Sequence, residues 1–261
     1  MRVNRVNRRL YIFDYDGTIH DTFHIYKNAV LACRKWIIEE IGHELPMPTD
    51  AMIKSWLGIT AKDMWLDYAP ELDSETRLKA FRFVGSRMHE EIELGNAHWY
   101  AGASETLDEL KARGHSLVIL SNSTSIDATI HMKHFNMERW FDRWYDSESY
   151  DWAPKTEIIR NILTDYNLID EGNSAEESNS AEESRFNAGC RVTSDRKADI
   201  DADMDAGCRV IGDRKADMDA GLAAKKLCRC DIVACDYGFG TEDELSVADY
   251  HIAAISDLLK I

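Results

Sequence analysis

Apolar residues recur along the chain with two different spacings, and the change of spacing divides the sequence. Tyr11-Ile12-Phe13 is a short continuous apolar run, which is typical of a buried strand. Beyond it, apolar residues recur every three or four positions, as on one face of a helix that ends at Gly42: Phe23, Tyr26, Val30, Cys33, Ile37 and Ile41. Residues 49–94 keep this spacing and predict two or three more helices, with one apolar edge formed by Leu78, Phe81, Met88 and Ile92.

From residue 98 the pattern alternates between helices and strands. Residues 104–113 predict a helix that ends at Gly114, and residues 116–120 predict a buried strand. More helices are predicted at 126–134, from Pro154 to about Tyr166, and at 216–227, with strands at 231–235 and 248–255. This alternation predicts an α/β fold with a doubly wound, mainly parallel sheet, which binds ligands beyond the carboxyl ends of its strands.

Composition narrows the class of protein. The 261 residues are 44% hydrophobic, enough for one full core and a smaller second one. A net charge of −16 argues against nucleic acid as a partner, because binding a phosphate backbone requires clustered Lys and Arg. The basic start leads only into a short apolar strand, so we expect a cytoplasmic protein with no signal peptide and no membrane partner. The six cysteines lack zinc-ligand spacing and are expected to be reduced, with a Cys228–Cys230 pair as the alternative.

Two aspartates follow the first predicted strand. Asp14 and Asp16 are one residue apart, so their side chains point to the same side as the chain leaves the sheet, and Gly17-Thr18 then allows a tight turn. Carboxylates held about 5 to 7 Å apart repel by roughly 2 to 4 kcal/mol at an effective dielectric of about 20. A cation is therefore expected between them. With no His or Cys in the motif, Mg²⁺ is favoured.

Three later motifs carry further polar groups. Ser121-Asn122 follows a buried strand, where a hydroxyl can donate to a phosphate, although a helix N-cap is the alternative for Ser121. Lys155 begins a helix, where the helix dipole disfavours a cation, so either the site or solvent exposure must explain it. Asp213 follows an apolar strand and Gly212, and Asp217 lies one helical turn further on.

These four motifs resemble those of the haloacid dehalogenase superfamily, in particular its phosphoglycolate-phosphatase-like members with a small helical cap. The resemblance implies a Rossmann-like core at residues 1–20 and 97–261, and an inserted all-helical cap at residues 21–96 that closes over the site. The chain departs from the family in one place, because members often have Lys-Pro where this sequence has Pro154-Lys155.

The resemblance also implies roles for individual residues. Asp14 would be the nucleophile and Asp16 the general acid and base, assisted by Ser121 and Lys155. The resemblance implies phosphate contacts from Gly17, Thr18, Ser121, Asn122 and Lys155. Mg²⁺ would be held by Asp14, the backbone carbonyl of Asp16, Asp213 and Asp217, the last through a water molecule unless it holds Lys155 instead.

Part of the sequence is duplicated. Residues 173–178 recur as 179–184, residues 188–192 as 206–210, and residues 195–199 as 213–217. The duplication lies either in the gene or in the reported sequence, and only one copy can end the catalytic strand. We favour Asp213 and Asp217 over Asp195 and Asp199, because only the second copy has the apolar Ile211 and the turn residue Gly212. Residues 171–205 are then expected to form a polar, acidic excursion.

The expected function is a Mg²⁺-dependent phosphohydrolase that acts on a small phosphorylated metabolite, with phosphoglycolate as the first choice by family likeness. Halide displacement is disfavoured, because dehalogenase members lack a carboxylate at the position of Asp16. Two alternatives remain. One is a sugar-phosphate mutase that resembles β-phosphoglucomutase, although Tyr26 stands where such mutases usually carry His. The other is a phosphate-binding protein whose catalysis is weakened by the duplication.

Overall fold

The computed structural model describes residues 8–170 and 207–261. The predicted acidic excursion at 171–205 lies outside the described residues, as does the first copy of the motif with Asp195 and Asp199. Within the described part of the chain, every helix is too short or too polar to cross a lipid bilayer.

The described strands form one six-stranded parallel sheet. They are β1 (Leu10–Phe13), β2 (Ser116–Ser121), β3 (Arg143–Asp146), β4 (Cys208–Gly212), β5 (Cys230–Cys235) and β6 (Tyr250–Ile252). Their order in the sheet is β3-β2-β1-β4-β5-β6, and every neighbouring pair is parallel. The direction of winding reverses between β1 and β4, and such a reversal opens a crevice at the carboxyl ends of the strands.

Helices cover both faces of this sheet. Tyr11 and Phe13 of β1 face a core cluster that includes α5 (Ala103–Ala112) and α6 (Ser125–His134). Leu10 and Ile12 face the opposite cluster, which includes α7 (Lys155–Asp165) and α8 (Lys215–Lys225). Because alternate residues of one strand contact different helices, the sheet is buried on both sides, as the apolar run at residues 11–13 predicts. The doubly wound α/β fold is therefore confirmed.

Four helices are inserted between β1 and α5. They are α1 (Phe23–Trp36), α2 (Asp50–Trp56), α3 (Ala61–Tyr68) and α4 (Ser74–Glu93). A π-helical turn at Ile37–Ile41 extends α1 and ends at Gly42, whose φ is 74°. The side chains of Thr49, Thr60 and Asp73 cap the other three helices. These helices share a buried cluster of their own, which includes Trp56, Trp65 and Val84.

The sequence pattern missed one strand and misplaced two features. Strand β3 is only four residues long and has charged residues at both ends, so it shows no apolar run. The pattern places Leu78 on the apolar edge of α4, but it is 47% exposed because it lies on the opposite face of the helix from the buried Thr76 and Ala80. The strand predicted at 248–255 spans only Tyr250–Ile252, and a 3₁₀ turn begins at Ile255. A short α9 (Glu242–Leu245) precedes β6.

Two helical glycines give a test of the packing. A methyl group at Gly221 of α8 would lie 2.6 Å from Cγ1 of Ile232 in β5, whereas one at Gly85 of α4 meets nothing within 4 Å. Gly221→Ala should lower the free energy of unfolding by about 1 to 2 kcal/mol through overpacking. Gly85→Ala should raise it by about 0.5 to 1 kcal/mol through helix propensity. Urea unfolding of both variants checks this, and equal shifts would contradict the packing of α8 on β5.

Candidate active site

The candidate site lies at the carboxyl ends of β1 and β4, the two central strands. Asp14 directly follows β1, and its backbone N–H donates to the carbonyl oxygen of Ile211 in β4 at 2.8 Å. Asp213 directly follows β4 and is completely buried. The two side chains therefore meet at the crevice where the winding of the sheet reverses.

Three buried carboxylates converge there. Asp14, Asp213 and Asp217 each offer an oxygen, and these oxygens lie within 4.8 Å of one another. Burial, together with the charge of Asp217, raises the pKa of Asp14 well above its usual range. The same two causes raise the pKa of Asp213 to about 7. The three carboxylates together are therefore an unfavourable arrangement unless positive charge lies among them.

Lys155 supplies part of that charge. Its Nζ atom lies 2.5 Å from Oδ1 of Asp14 and 2.7 Å from Oδ1 of Asp217, and the side chain is buried. Burial alone would lower the pKa of Lys155, but the charges of Asp14 and Asp217 raise it above its usual range. With all three carboxylates ionised, two negative charges remain unbalanced. A divalent cation would balance them, and a set of carboxylate oxygens suits Mg²⁺.

Neighbouring backbone segments lie close to the Asp213 side chain and hold it in place. The N–H of Phe239 donates to Oδ2 of Asp213 at 2.6 Å, and Oγ1 of Thr18 lies 3.4 Å from its Oδ1. A Cβ atom at Gly17 or at Gly238 would overlap the Asp213 side chain, and Gly17 also has a φ of 84°. Two of the residues predicted to contact phosphate, Gly17 and Thr18, therefore border Asp213 in the structure.

Asp16 belongs to a separate hydrogen-bonded group. Its carboxylate is not among the three that converge, and Oδ1 accepts a hydrogen bond from Thr22 and lies 3.4 Å from Nδ1 of His20. Oγ1 of Thr22 also lies 2.8 Å from that His20 nitrogen. Burial would raise the pKa of Asp16, but the hydrogen bonds from His20 and Thr22 together lower it below its usual range.

Ser121 and Asn122 lie at the end of β2, beside β1. Ser121 is buried. The side chain of Asn122 donates to the carbonyl oxygen of Gly58 at 3.2 Å and accepts a hydrogen bond from Ser147 at 3.0 Å. Asn122 thus joins the sheet to the loop between α2 and α3. Its contact with phosphate stays a prediction.

Sequence reasoning missed three side chains that build the site. Thr22 and His20 bind Asp16, but a turn gives no periodic signal that would reveal these contacts. Arg214 donates to the carbonyl oxygen of Leu57 and lies 3.3 Å from Glu244, so it also holds the loop between α2 and α3. The only hint in the sequence was that Arg214 directly follows Asp213, because its partner Leu57 is 157 residues away.

The fold and the site together define a doubly wound α/β protein with a buried cluster of carboxylates and one lysine at its central strand ends. The family model of the haloacid dehalogenase-like hydrolases matches residues 11–173, and the chain belongs to this family. The matched range includes Asp14, Asp16, Ser121 and Lys155, whereas Asp213 and Asp217 lie beyond it. Among curated proteins, no match was found.

Several solved structures share this fold. A predicted phosphoglycolate phosphatase from Haemophilus somnus has 18% identity and a TM-score of 0.72, with 97% of each chain covered. A predicted phosphatase from Clostridium acetobutylicum has 19% identity and a TM-score of 0.68, again with 97% of each chain covered. A haloacid dehalogenase-like hydrolase from Streptococcus pneumoniae has 19% identity and a TM-score of 0.65, covering 97% of this chain and 98% of the other.

Removing the Lys155 ammonium group from the carboxylate cluster should lower the stability of the protein by an amount that depends on pH. Lys155→Met leaves buried Asp14 and Asp217 without their partner and should lower the free energy of unfolding by about 3 to 5 kcal/mol at pH 8. The loss should be smaller at pH 5, because the raised pKa of Asp14 lets that carboxyl take up a proton and lose its charge. Urea unfolding at both pH values provides the measurement.

The matched control is Lys215→Met. Lys215 pairs with Asp219 at 2.7 Å on the surface of the same protein, and its side chain is 65% exposed. Exposed pairs contribute little to stability, so this variant should unfold like the parent at both pH values. Equal destabilisation by Lys155→Met at pH 5 and pH 8 would contradict the proposed electrostatic origin of the effect.

Proposed function

We propose that the protein is a Mg²⁺-dependent phosphohydrolase that cleaves a small phosphate monoester through an aspartyl-phosphate on Asp14. The observation that carries the proposal is the buried group of Asp14, Lys155, Asp213 and Asp217 beyond the ends of β1 and β4. Membership of the hydrolase family and the fold shared with phosphatases support the same class of reaction. The substrate would be a small phosphorylated metabolite of the cytoplasm.

In the first step, a carboxylate oxygen of Asp14 attacks phosphorus and the bond from phosphorus to the alcohol oxygen breaks. Lys155 donates to Oδ1 of Asp14 and so fixes the orientation of the nucleophile. Asp16 gives a proton to the departing alcohol. In the free protein the lowered pKa of Asp16 favours its ionised form, and the negative charge of a bound phosphate would raise that pKa and favour the acid.

In the second step, the oxygen of a water molecule attacks the phosphorus on Asp14, the bond from phosphorus to the Asp14 oxygen breaks, and Asp16 takes a proton from the water. Asp14, the backbone carbonyl of Asp16 and Asp213 would hold Mg²⁺, which when bound neutralises charge on the phosphoryl oxygens. Because Lys155 also bonds to Asp217, we propose that Asp217 acts mainly by positioning Lys155. Thr18, Ser121, Asn122 and the backbone at Gly17 are the proposed further contacts to phosphate.

The two alternatives receive less support. A mutase would need a proton carrier at the position of Tyr26, where burial raises the pKa of the phenol above its usual range and so opposes its ionisation. A binding protein with a damaged fourth motif would not need Asp213 and Asp217 beside Asp14, yet all three side chains converge. A phosphohydrolase accounts for both observations.

The test is phosphate release from a panel of small esters that includes ethyl phosphate, phosphoglycolate and p-nitrophenyl phosphate. We expect turnover that requires Mg²⁺ and stops on chelation. Asp14→Asn should lower the rate at least about 1,000-fold, because the nucleophile is lost. Asp219→Asn is the matched control, because Asp219 pairs only with the exposed Lys215 among the ion pairs described, and its rate should not change. Activity that survives in Asp14→Asn would contradict the mechanism.

A further inference from the structure

A cavity of about 140 Å³ lies between the inserted helices and the sheet. Asp16, Asn122 and Ser123 border it on the side of the sheet. The opposite wall comes from α3 and α4 and is mostly apolar, with Met64, Trp65, Phe81, Val84, Met88 and Ile92. The cavity therefore borders the proposed general acid, whereas none of the three clustered carboxylates lines it.

The position of Asp16 decides what this cavity would hold. A general acid must reach the leaving oxygen within hydrogen-bond distance. The Asp16 side chain is 33% exposed and borders the cavity, whereas Asp14 is not among the residues that line it. The alcohol part of a phosphate ester, once its phosphorus is placed at Asp14, would therefore enter the cavity. The cavity volume of about 140 Å³ is enough for several water molecules, so there is room for a small alcohol.

The charges around the cavity are unfavourable for an anion. Among the described residues that line it there is no Lys and no Arg, while Asp16 and Asp127 both contribute carboxylates. His89 lies 2.6 Å from Asp127, so any positive charge on His89 is already balanced by that carboxylate. Burial lowers the pKa of His131 to about 3, which keeps this ring neutral, and its Nδ1 atom bonds to the hydroxyl of Tyr15.

We infer that the alcohol released by this enzyme is small, carries no negative charge and is largely apolar, as in phosphate esters of short uncharged alcohols. The inference rests on the proposed phosphohydrolase function and specifies its substrate class. An alcohol with a carboxylate, such as the glycolate of phosphoglycolate, would lose its hydration in the cavity and find no Lys or Arg among the described lining residues to pair with. The substrate class thus differs from the one that family likeness places first.

The test compares phosphoglycolate with its neutral isostere, the phosphate ester of glycolamide, and with propyl phosphate. We expect kcat/KM for both neutral esters to exceed that for phosphoglycolate by at least about tenfold. Equal or faster turnover of phosphoglycolate would overturn the inference while leaving the proposed function intact. If no ester is hydrolysed, the proposed function fails. Calorimetry then compares the binding of phosphoglycolate with that of the glycolamide ester, and tighter binding of phosphoglycolate would overturn the inference.

A variant of the cavity wall gives a second, independent test. Met88→Lys places a cation in the cavity and should raise the relative kcat/KM for phosphoglycolate over the glycolamide ester by at least about tenfold. Met88→Gln, similar in size and uncharged, should leave that ratio unchanged. If the ratio is the same in Met88→Lys and in the parent, with folding verified by circular dichroism, the alcohol does not occupy this cavity and the inference is wrong.

Discussion

The rest of the site depends on the two ion pairs that the Lys155 ammonium group makes with Asp14 and Asp217. A buried charge without a partner is expensive, so these three groups must stay together in the folded protein. They come from the start of α7, the end of β1 and the first turn of α8, and Lys155 is 141 residues from Asp14 in sequence. The ion pairs therefore fix the relative positions of two helices and the central strand.

The sheet makes this arrangement possible, because parallel strands bring their carboxyl ends to one edge. The ends of β1 and β4 meet there, and two glycines leave room for Asp213 to approach the backbone. The site is thus assembled from strand ends and tight turns, while the helices supply Lys155 and Asp217. Such a site can be rigid, because the two strands are buried on both sides and the two helices pack on them through buried apolar contacts.

Features of the sequence that act locally were predictable, and those that depend on distant contacts were not. Continuous apolar runs located β1, β2 and β5, and Ile211-Gly212 identified the copy of the motif that forms the end of β4. The short β3, with charged ends, had no such run. The contacts of Asp16 with Thr22 and of Arg214 with Leu57 could not be predicted, because they arise from a turn and from packing between segments 157 residues apart.

The two sides of Asp16 differ in their electrostatics, and in the proposed enzyme this difference would divide substrate recognition between the sheet and the inserted helices. On the side of the strand ends, Lys155 and the proposed metal would attract the phosphate. On the other side, the described cavity walls offer apolar side chains and carboxylates but no Lys or Arg. A protein with a net charge of −16 gains nothing from long-range attraction of anions. In the proposed enzyme, binding would then depend on local positive charge at the phosphate and on the fit of an uncharged alcohol.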